Sequence, residues 1–362
     1  MAPTATSPGG WGLAILAAVA VLLVGALALA LLRSPGTRRG GRTPDRDSLS
    51  VPMTTFRDMS VQSSDVTPTD VTPSGERPRR RLALSPSRAG DFKNCPLLYR
   101  YRAIDRLPEP TGRAAARGIL VHLVLQRLFA RPADQRGLPG TLADVVPAWT
   151  QLVEQDPALN ELVPPTALAA WIADAQRLLR RYYELEDPRR LEPEACEWMV
   201  DTELVGGGPA DGPTTVPVRG ILDRLDRGPD GRLRVVDYKT GRAPGPEHEL
   251  GALSQLKFYA LMVWRSRGEV PGELRLIYLD DGLTLRYSPT ADELAAYERG
   301  LGALWRTVSR AVETGDFPAR RGAGCRWCVQ QDHCPEFGGQ LLPYPGFTRA
   351  PSAGPVDADA PH

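Results

Sequence analysis

The sequence predicts an α/β protein in which helices flank a mixed β-sheet. Three observations predict this fold class. Helical periodicity dominates residues 82–186, five short segments with strand character lie between residues 194 and 287, and a helix-length segment separates the third strand from the fourth. Because a helical connection allows two strands to run parallel, whereas tight turns make neighbours antiparallel, the sheet should be mixed.

The N-terminal segment differs in composition from the rest of the chain. Residues 11–32 carry no charge and are long enough to cross a bilayer, and the arginines after them favour the cytoplasm for the remaining chain. We therefore expect residues 1–33 to hold a transmembrane helix that tethers the protein to the inner face of the membrane. In the alternative, translation starts at Met53 or Met59. Residues 34–81, rich in Ser, Thr, Pro, Arg and Asp, predict a disordered linker.

The first part of the folded region is predicted to be helical. Ser85 and Pro86 suit the N-cap and the first position of a helix that should break or kink near Pro96. The spacing of apolar residues predicts three later helices, at about 113–129, 141–155 and 165–186.

The second part of the folded region combines strands and helices. Runs of β-branched and aromatic residues predict five strands, at about 194–205, 215–226, 232–239, 273–279 and 283–287. Pro229-Asp-Gly231 and Asp280-Asp-Gly282 are typical of hairpin turns. Helices are expected at about 249–265, between the third and fourth strands, and at about 290–314. An irregular tail with three cysteines follows and ends near Phe337.

The composition of the chain excludes some classes of protein. The net charge of +1 excludes a protein that coats DNA with its whole surface, so any nucleic-acid surface must be a local basic patch. Five cysteines without an even, regular spacing argue against a secreted disulfide scaffold. Only three of the 44 basic residues are lysines, namely Lys93, Lys239 and Lys257. A site that needs a compact ammonium group resists the exchange of lysine for arginine, so these positions are of interest.

Two carboxylates and one lysine are predicted to converge on the sheet. Alternation along the third strand gives Asp237 and Lys239 one face and Tyr238 the other, and Asp223 comes from the preceding strand. Charges on a half-buried face are costly unless they are used. This combination can hold a divalent metal and position water against a phosphodiester. In the alternative, the residues form a solvated strand face with incidental charges.

Two weaker signals lie on predicted helices. Gln255 and Tyr259 are four residues apart, so they are neighbours on one face of the helix that follows the lysine-bearing strand. That helix should lie over the sheet near the carboxylates. His122, one of only four histidines, lies in an apolar helix, where a packed or surface residue is the common alternative to a ligand.

The cysteines form a second pattern. Cys325, Cys328 and Cys334 have the C-x2-C-x5-C spacing of metal ligands. A fourth ligand is needed, and either Cys95, far upstream, or His333, which would complete a Cys3His zinc site, could supply it. Cys196 lies in a predicted strand and is expected to pack as a small hydrophobic residue.

The ordered motifs resemble those of the RecB-like branch of the PD-(D/E)XK nuclease superfamily, over roughly residues 82–337. In that branch a G-x-x-x-H helix, a G-x-x-D strand, a D-Y-K strand and a Q-x-x-x-Y helix follow one another. The matching segments here are Gly118–His122, Gly220–Asp223, Asp237–Lys239 and Gln255–Tyr259. The layout of Cys95 before this core and three cysteines after it is similar to the iron-staple subset, which holds a [4Fe–4S] cluster.

The resemblance implies a restriction-endonuclease-like fold over residues 82–338, followed by a disordered tail at 339–362. It implies metal-dependent cleavage of DNA, at ends or in single strands, in DNA repair or recombination. The metal ligands for Mg²⁺ or Mn²⁺ would be the side chains of His122, Asp223 and Asp237 and the carbonyl of Tyr238. Lys239 would activate water, and Gln255 and Tyr259 would support the site or meet the DNA backbone.

Three questions remain open in the sequence. The acidic residue that the family carries on its first strand could be Glu197 or Glu203. The chain has no Gly-Lys pair, hence no phosphate-binding loop of an ATP-driven motor, so a helicase would have to be a separate partner. The rival functions are a nucleic-acid-binding adaptor that serves such a helicase, and a structural protein stabilised by zinc.

Overall fold

The computed structural model describes residues 82–207, 212–245 and 249–347. The predicted membrane segment, the alternative start sites and the linker lie outside the described residues, as does the segment from residue 348 onward. Within the described residues, no helix combines the length and the apolar character that crossing a membrane requires.

The described chain begins with two helices joined at Cys95. Helix α1 is Pro86–Asn94 and helix α2 is Pro96–Arg100. The Ser85 side chain accepts a hydrogen bond from the N–H of Arg88, as an N-cap should, and Pro96 starts the second helix. Because Pro96 cannot donate to the previous turn, the predicted break is where the sequence places it.

Five further helices precede the sheet. Their bounds are α3 Arg113–Phe129, α4 Leu138–Ala143, α5 Val145–Gln155, α6 Leu159–Leu162 and α7 Pro165–Leu185. The single helix predicted over 141–155 is divided at Asp144. Pro147 explains the division, because its ring is tolerated in the first turn of α5 but would clash with a helix continuing from residue 143.

A five-stranded mixed sheet follows, with the strands in chain order. The elements are β1 Ala195–Gly206, β2 Thr214–Arg227, β3 Leu233–Lys239, helix α8 Glu249–Arg267, β4 Glu273–Tyr278, β5 Leu283–Tyr287 and helix α9 Ala291–Thr314. Strands β3 and β4 run parallel, joined by α8, and the other neighbouring pairs run antiparallel. The predicted α/β class with a mixed sheet is confirmed.

Hydrophobic residues pack on both faces of this sheet. Val235 belongs to a core formed with α1, α2, α8 and α9, whereas Val236 and Tyr238 belong to a second core formed with α3, α5 and α7. The two faces of β3 therefore alternate as predicted. The sheet lies between two helical layers, and functional groups can meet only where a strand ends or two strands separate.

The C-terminal tail, predicted to be irregular, contains three short 3₁₀ helices and returns to the first helices; the 3₁₀ helices are Ala323–Trp327, Gln331–His333 and Pro335–Phe337. The Tyr101 hydroxyl donates a hydrogen bond to the carbonyl of His333 at 2.6 Å. The buried Arg100 guanidinium donates to the carbonyls of Leu342 and Pro343 at 2.8 and 2.6 Å. The tail therefore stays in contact with the core beyond residue 338, where the predicted disordered tail would begin.

Candidate functional site

Three carboxylates lie in one row across the sheet. Cys196 pairs with Arg224 and Trp198 pairs with Leu222, so Glu197 on β1 is opposite Asp223 on β2. The ladder between β2 and β3 ends with Arg224 opposite Val236, so the next residues of the two strands, Asp223 and Asp237, lie where the strands separate. Glu197, Asp223 and Asp237 belong to three adjacent strands.

The backbone at Glu197 is strained. Its φ is +46°, a left-handed value that non-glycine residues rarely adopt within a strand. Such a conformation costs on the order of 1–3 kcal/mol and persists only where the surrounding structure enforces it. The distortion interrupts the pairing of β1 with β2 at this residue and brings the Glu197 carboxylate within 4.0 Å of the His122 ring.

The backbone of Tyr238, on β3, contacts both Asp223 of β2 and His122 of α3. Its N–H donates to Asp223 Oδ2 at 2.7 Å, and its carbonyl oxygen lies 3.1 Å from His122 Nε2. The other ring nitrogen of His122, Nδ1, lies 3.5 Å from Asp223 Oδ1. Helix α3 therefore places His122 in the gap between β2 and β3. Gly118 lies one turn earlier and faces Thr240, where an added Cβ would make an ordinary van der Waals contact at 3.6 Å.

The donor set fits a hard divalent cation. His122, Glu197 and Asp223 offer ligand atoms that all lie within 4.8 Å of one another, and no other such group of three His, Cys, Asp or Glu occurs among the described residues. Carboxylate and carbonyl oxygens with one imidazole suit Mg²⁺ or Mn²⁺.

A second group of side chains surrounds Asp237. Lys239 Nζ lies 2.5 Å from Asp237 Oδ2 as an ion pair. The Gln255 amide donates to Asp237 Oδ1 at 3.2 Å and to the Tyr259 hydroxyl at 3.3 Å. Helix α8 thus covers the carboxylates, and its two polar residues are neighbours, as their spacing predicts. Asp237 is held by an amide on one oxygen and by an ammonium on the other.

The close carboxylates raise the pKa values of the titratable groups at this site. Burial, together with the charge of Asp223, raises the pKa of Asp237 to about 6 and that of Glu197 to about 7. Burial disfavours the charged form of His122, but its hydrogen bond with Asp223 and the nearby carboxylate charges outweigh that effect and raise its pKa to about 9. At neutral pH a bound divalent cation would replace the proton of His122 and, in part, that of Glu197, whereas Asp237 is mostly ionised there.

A buried arginine supports the site from the opposite face of the sheet. Arg224 follows Asp223 on β2 and is fully buried. It pairs with Glu186 at 2.8 Å and with Asp226 at 2.9 Å, and it donates to the Tyr238 hydroxyl. Tyr238 is thereby fixed at its ring as well as at its peptide. Arg224 is a positioning residue, since its side chain contacts none of the proposed ligand atoms and acts through the ring of Tyr238.

The four cysteines of the predicted cluster come together at a different place. Burial raises the pKa of the Cys328 thiol, and the thiols of Cys325, Cys334 and Cys95 raise it further, so all three are its neighbours. The Arg320 guanidinium also donates to the carbonyl of Lys93 at 2.7 Å, which joins the tail to α1. Cys196 lies elsewhere, in β1, where burial raises the pKa of its thiol to about 11.

The spacing of these sulfur atoms is wider than a zinc site requires. Four sulfur ligands of one zinc ion lie about 3.8 Å apart, because each Zn–S distance is about 2.3 Å. No three His or Cys ligand atoms at this cluster, among the described residues, lie within 4.8 Å of one another. The ring of His333 packs edge-on against Tyr101, with 6.3 Å between the ring centroids. The sulfur atoms of the described cysteines are therefore not arranged as the ligands of one zinc ion would be.

The structure brings together every residue that the sequence proposed for the metal site. It also selects Glu197 from the pair left open, since Glu203 is exposed further along β1. Sequence reasoning missed Arg224. Its one signal was an arginine between Asp223 and Leu225, in a strand otherwise rich in apolar residues.

Comparison with known proteins gives one family match. The model of the PD-(D/E)XK nuclease superfamily matches residues 83–335. Similar solved structures include a candidate exonuclease from Eubacterium rectale, at 14% identity and a TM-score of 0.47, covering 68% of this chain and 86% of that one. The protein SSO0001 is similar at 16% identity and a TM-score of 0.30, covering 61% of this chain and 94% of that one. No curated protein sequence matches this chain.

Proposed function

The chain belongs to the PD-(D/E)XK nuclease superfamily, and we propose that it is a metal-dependent deoxyribonuclease. Its five-stranded mixed sheet with flanking helices is the restriction-endonuclease-like fold expected of this superfamily. The observation that carries the proposal is the convergence of Glu197, Asp223 and His122 beside the Asp237–Lys239 pair.

Each residue of the site has a distinct role in the proposed reaction. The side chains of His122, Glu197, Asp223 and Asp237 and the carbonyl of Tyr238 would hold Mg²⁺ or Mn²⁺. The bound ion would polarise the phosphate and lower the pKa of water.

Lys239 forms an ion pair with Asp237 at the edge of the proposed metal site. It would orient the attacking water and stabilise the negative charge that develops on the phosphate. Gln255 would keep Asp237 in position through its hydrogen bond, and Tyr259 would restrain Gln255.

We also propose membership of the RecB-like branch and exonuclease action at DNA ends or on single strands, in repair or recombination. The order of four motifs supports this, from Gly118–His122 through Gly220–Asp223 and Asp237–Lys239 to Gln255–Tyr259. The absence of a Gly-Lys pair in the sequence means that strand separation would need a separate helicase partner. A non-catalytic adaptor would not need the complete carboxylate–lysine set.

The cysteines are proposed to hold a [4Fe–4S] cluster. Cys95, Cys325, Cys328 and Cys334 supply the four thiolates that such a cluster uses, and their spacing is too wide for one zinc ion. The cluster would join the segment before the nuclease core to the segment after it. The tether of residues 11–32 to the membrane stays a prediction, as do the linker over 34–81 and the nuclease domain boundaries at 82 and 338.

The test of the proposed activity uses the full-length protein and end-labelled DNA. Single-stranded and double-stranded substrates are incubated with Mg²⁺, with Mn²⁺ or with EDTA, and the products are sized. We expect cleavage that requires metal and that Asp237→Asn abolishes. Cleavage that persists in EDTA, or equally in the Asp237→Asn protein, would assign the activity to a contaminant and contradict the proposal.

A further inference from the structure

A groove of about 770 Å³ opens beside the carboxylate site. We call it the α1–α8 groove, because helix α1 forms one wall, α8 another, and the outer face of the β1–β2 hairpin forms the floor. Gln255 and Tyr259 line it at the end nearest to Asp237. A ligand that lies in the groove therefore extends from the catalytic residues toward α1.

All charged side chains among the described lining residues of the groove are basic. Arg88, Lys93 and Arg219 line it, and none of its described lining residues is Asp or Glu. This is notable in a chain whose basic and acidic residues number 44 and 43. Among the described residues, Arg219 forms an ion pair with Asp201, whereas Arg88 and Lys93 form none; one nitrogen of the Arg88 guanidinium donates to the carbonyl of Ala83 at 3.0 Å. Two cations are therefore available to an anionic ligand.

The floor of the groove is apolar and exposed. Met199 and Ile221 are cross-strand partners in the β1–β2 hairpin, and their side chains are 60% and 44% exposed. A groove that is lined by both exposed apolar side chains and cations matches a ligand with both anionic and apolar parts. Gly220 leaves room next to them, since an added Cβ would be 3.3 Å from the ring of Tyr259.

From these observations, and resting on the proposed nuclease function, we propose that the α1–α8 groove binds the unpaired nucleotides next to the scissile phosphate. Arg88 and Lys93 contact backbone phosphates, and Met199 and Ile221 contact base faces. In a duplex the base faces are stacked and hidden, whereas in a single strand they can meet a protein surface. The groove therefore selects single-stranded DNA.

The experiment measures binding separately from cleavage. Full-length protein carrying Asp237→Asn, in EDTA, is titrated into a labelled 15-mer of thymidylate or a blunt duplex of equal length, with fluorescence anisotropy recorded between 0.1 and 1 M salt. The first variant adds Arg88→Ala and Lys93→Ala. Its matched control adds Arg299→Ala and Arg310→Ala, two exposed arginines of α9 that do not line the groove.

We expect the groove variant to lose two phosphate contacts. The slope of log affinity against log salt should then fall by about 1.4, which makes its defect about 25-fold larger at 0.1 M than at 1 M salt. A second variant, Met199→Ser with Ile221→Ser, should weaken binding about tenfold without changing the slope, because apolar contacts release no ions. The control should match the parent, and the duplex should bind weakly to all proteins.

The outcomes distinguish the groove from the nuclease function. If the wild type cleaves DNA but the Arg88/Lys93 variant binds thymidylate like the control, the groove proposal is wrong and the nuclease proposal stands. If binding depends on the groove but no metal-dependent cleavage occurs, the nuclease proposal fails instead. Equal affinity for the duplex would overturn the selection of single strands.

Discussion

Asp223 Oδ2 accepts a hydrogen bond of 2.7 Å from the backbone N–H of Tyr238, across the point where β2 and β3 separate. The carboxylate thus accepts the hydrogen bond that a backbone carbonyl of β2 would accept if the two strands stayed paired. Its second oxygen is left to face His122. One side chain therefore both ends the pairing of the two strands and forms the floor of the metal site.

Replacement of Lys239 should separate metal binding from chemistry. In Lys239→Ala we expect cleavage to fall at least about 100-fold, because the group that stabilises developing charge is lost. Metal affinity should be retained, whereas Asp223→Ala and Asp237→Ala should lose both. Single-turnover cleavage and Mn²⁺ titration measure the two effects, and full activity in Lys239→Ala would contradict the proposed site.

Glu197 should be needed for metal binding and Glu203 should not. Glu197→Gln removes a carboxylate that lies with His122 and Asp223, so we expect metal affinity to fall about 10- to 100-fold. Glu203→Gln changes an exposed residue of the same strand and serves as the matched control. Calorimetric Mn²⁺ titration of both variants gives the comparison, and equal affinities would remove Glu197 from the ligand set.

Metal binding should tighten as pH rises from about 6 to about 9. In the metal-free protein the raised pKa values of Asp237, Glu197 and His122 (about 6, 7 and 9) mean that each group holds its proton more tightly than in the unfolded chain. Their stabilising contribution is therefore greatest at low pH and is lost as pH rises through these values. A cation must displace the same protons.

The shift of melting temperature caused by Mg²⁺ should consequently grow over this pH range. Titrations in buffers with different ionisation enthalpies should show that protons are released on binding at pH 7. In Glu197→Gln fewer protons should be released. Metal affinity that stays constant between pH 6 and pH 9 would argue against these three groups as the site.

The cysteine cluster should couple the stability of the segment around Cys95 to that of the C-terminal tail. If Cys95, Cys325, Cys328 and Cys334 share one cluster, Cys95→Ser should be about as damaging as Cys325→Ser. Both variants should lose iron and visible absorbance and melt at lower temperature, whereas Cys196→Ser should do none of these. Iron and sulfide analysis with thermal melts provides the test. A mild Cys95→Ser together with a severe His333→Ala would favour the zinc alternative.

Loss of the buried Arg224 should lower the stability of the protein. Arg224→Met leaves Glu186 and Asp226 buried with fewer compensating charges, so we expect a loss of about 3–5 kcal/mol in the free energy of unfolding. The control Arg189→Met removes an exposed partner of Asp187 and should change the free energy of unfolding much less, because solvent screens that pair. Chemical denaturation measures the free energy of unfolding of both variants. Similar losses in the two variants would show that burial of the Arg224 network does not increase stability.

Most elements of the fold were predictable because their signals are local. The helix over 113–129 and the strand over 283–287 have the predicted bounds, since apolar periodicity and the turn at Asp280-Asp-Gly282 define them. The division of the 141–155 helix was missed, although Pro147 carried the signal.

The candidate site was only partly predictable because some of its geometry is not local. Alternation along β3 was enough to place Asp237 beside Lys239. The choice between Glu197 and Glu203 depends on the register of β1 against β2 and on the left-handed backbone at Glu197, neither of which a pattern of residue types specifies. The packing of residues 339–347 on Arg100 is likewise a tertiary effect.

The return of the tail to α2 has a consequence for the protein during its synthesis. Arg100 is made early, but the carbonyls of Leu342 and Pro343 that satisfy its buried guanidinium are made 242 and 243 residues later. Until then the first helices lack the partners that complete their packing, and the wall that α1 contributes to the groove is not secured. A ribosome-bound chain therefore carries the carboxylates and the lysine before the carbonyls that satisfy Arg100 have been made.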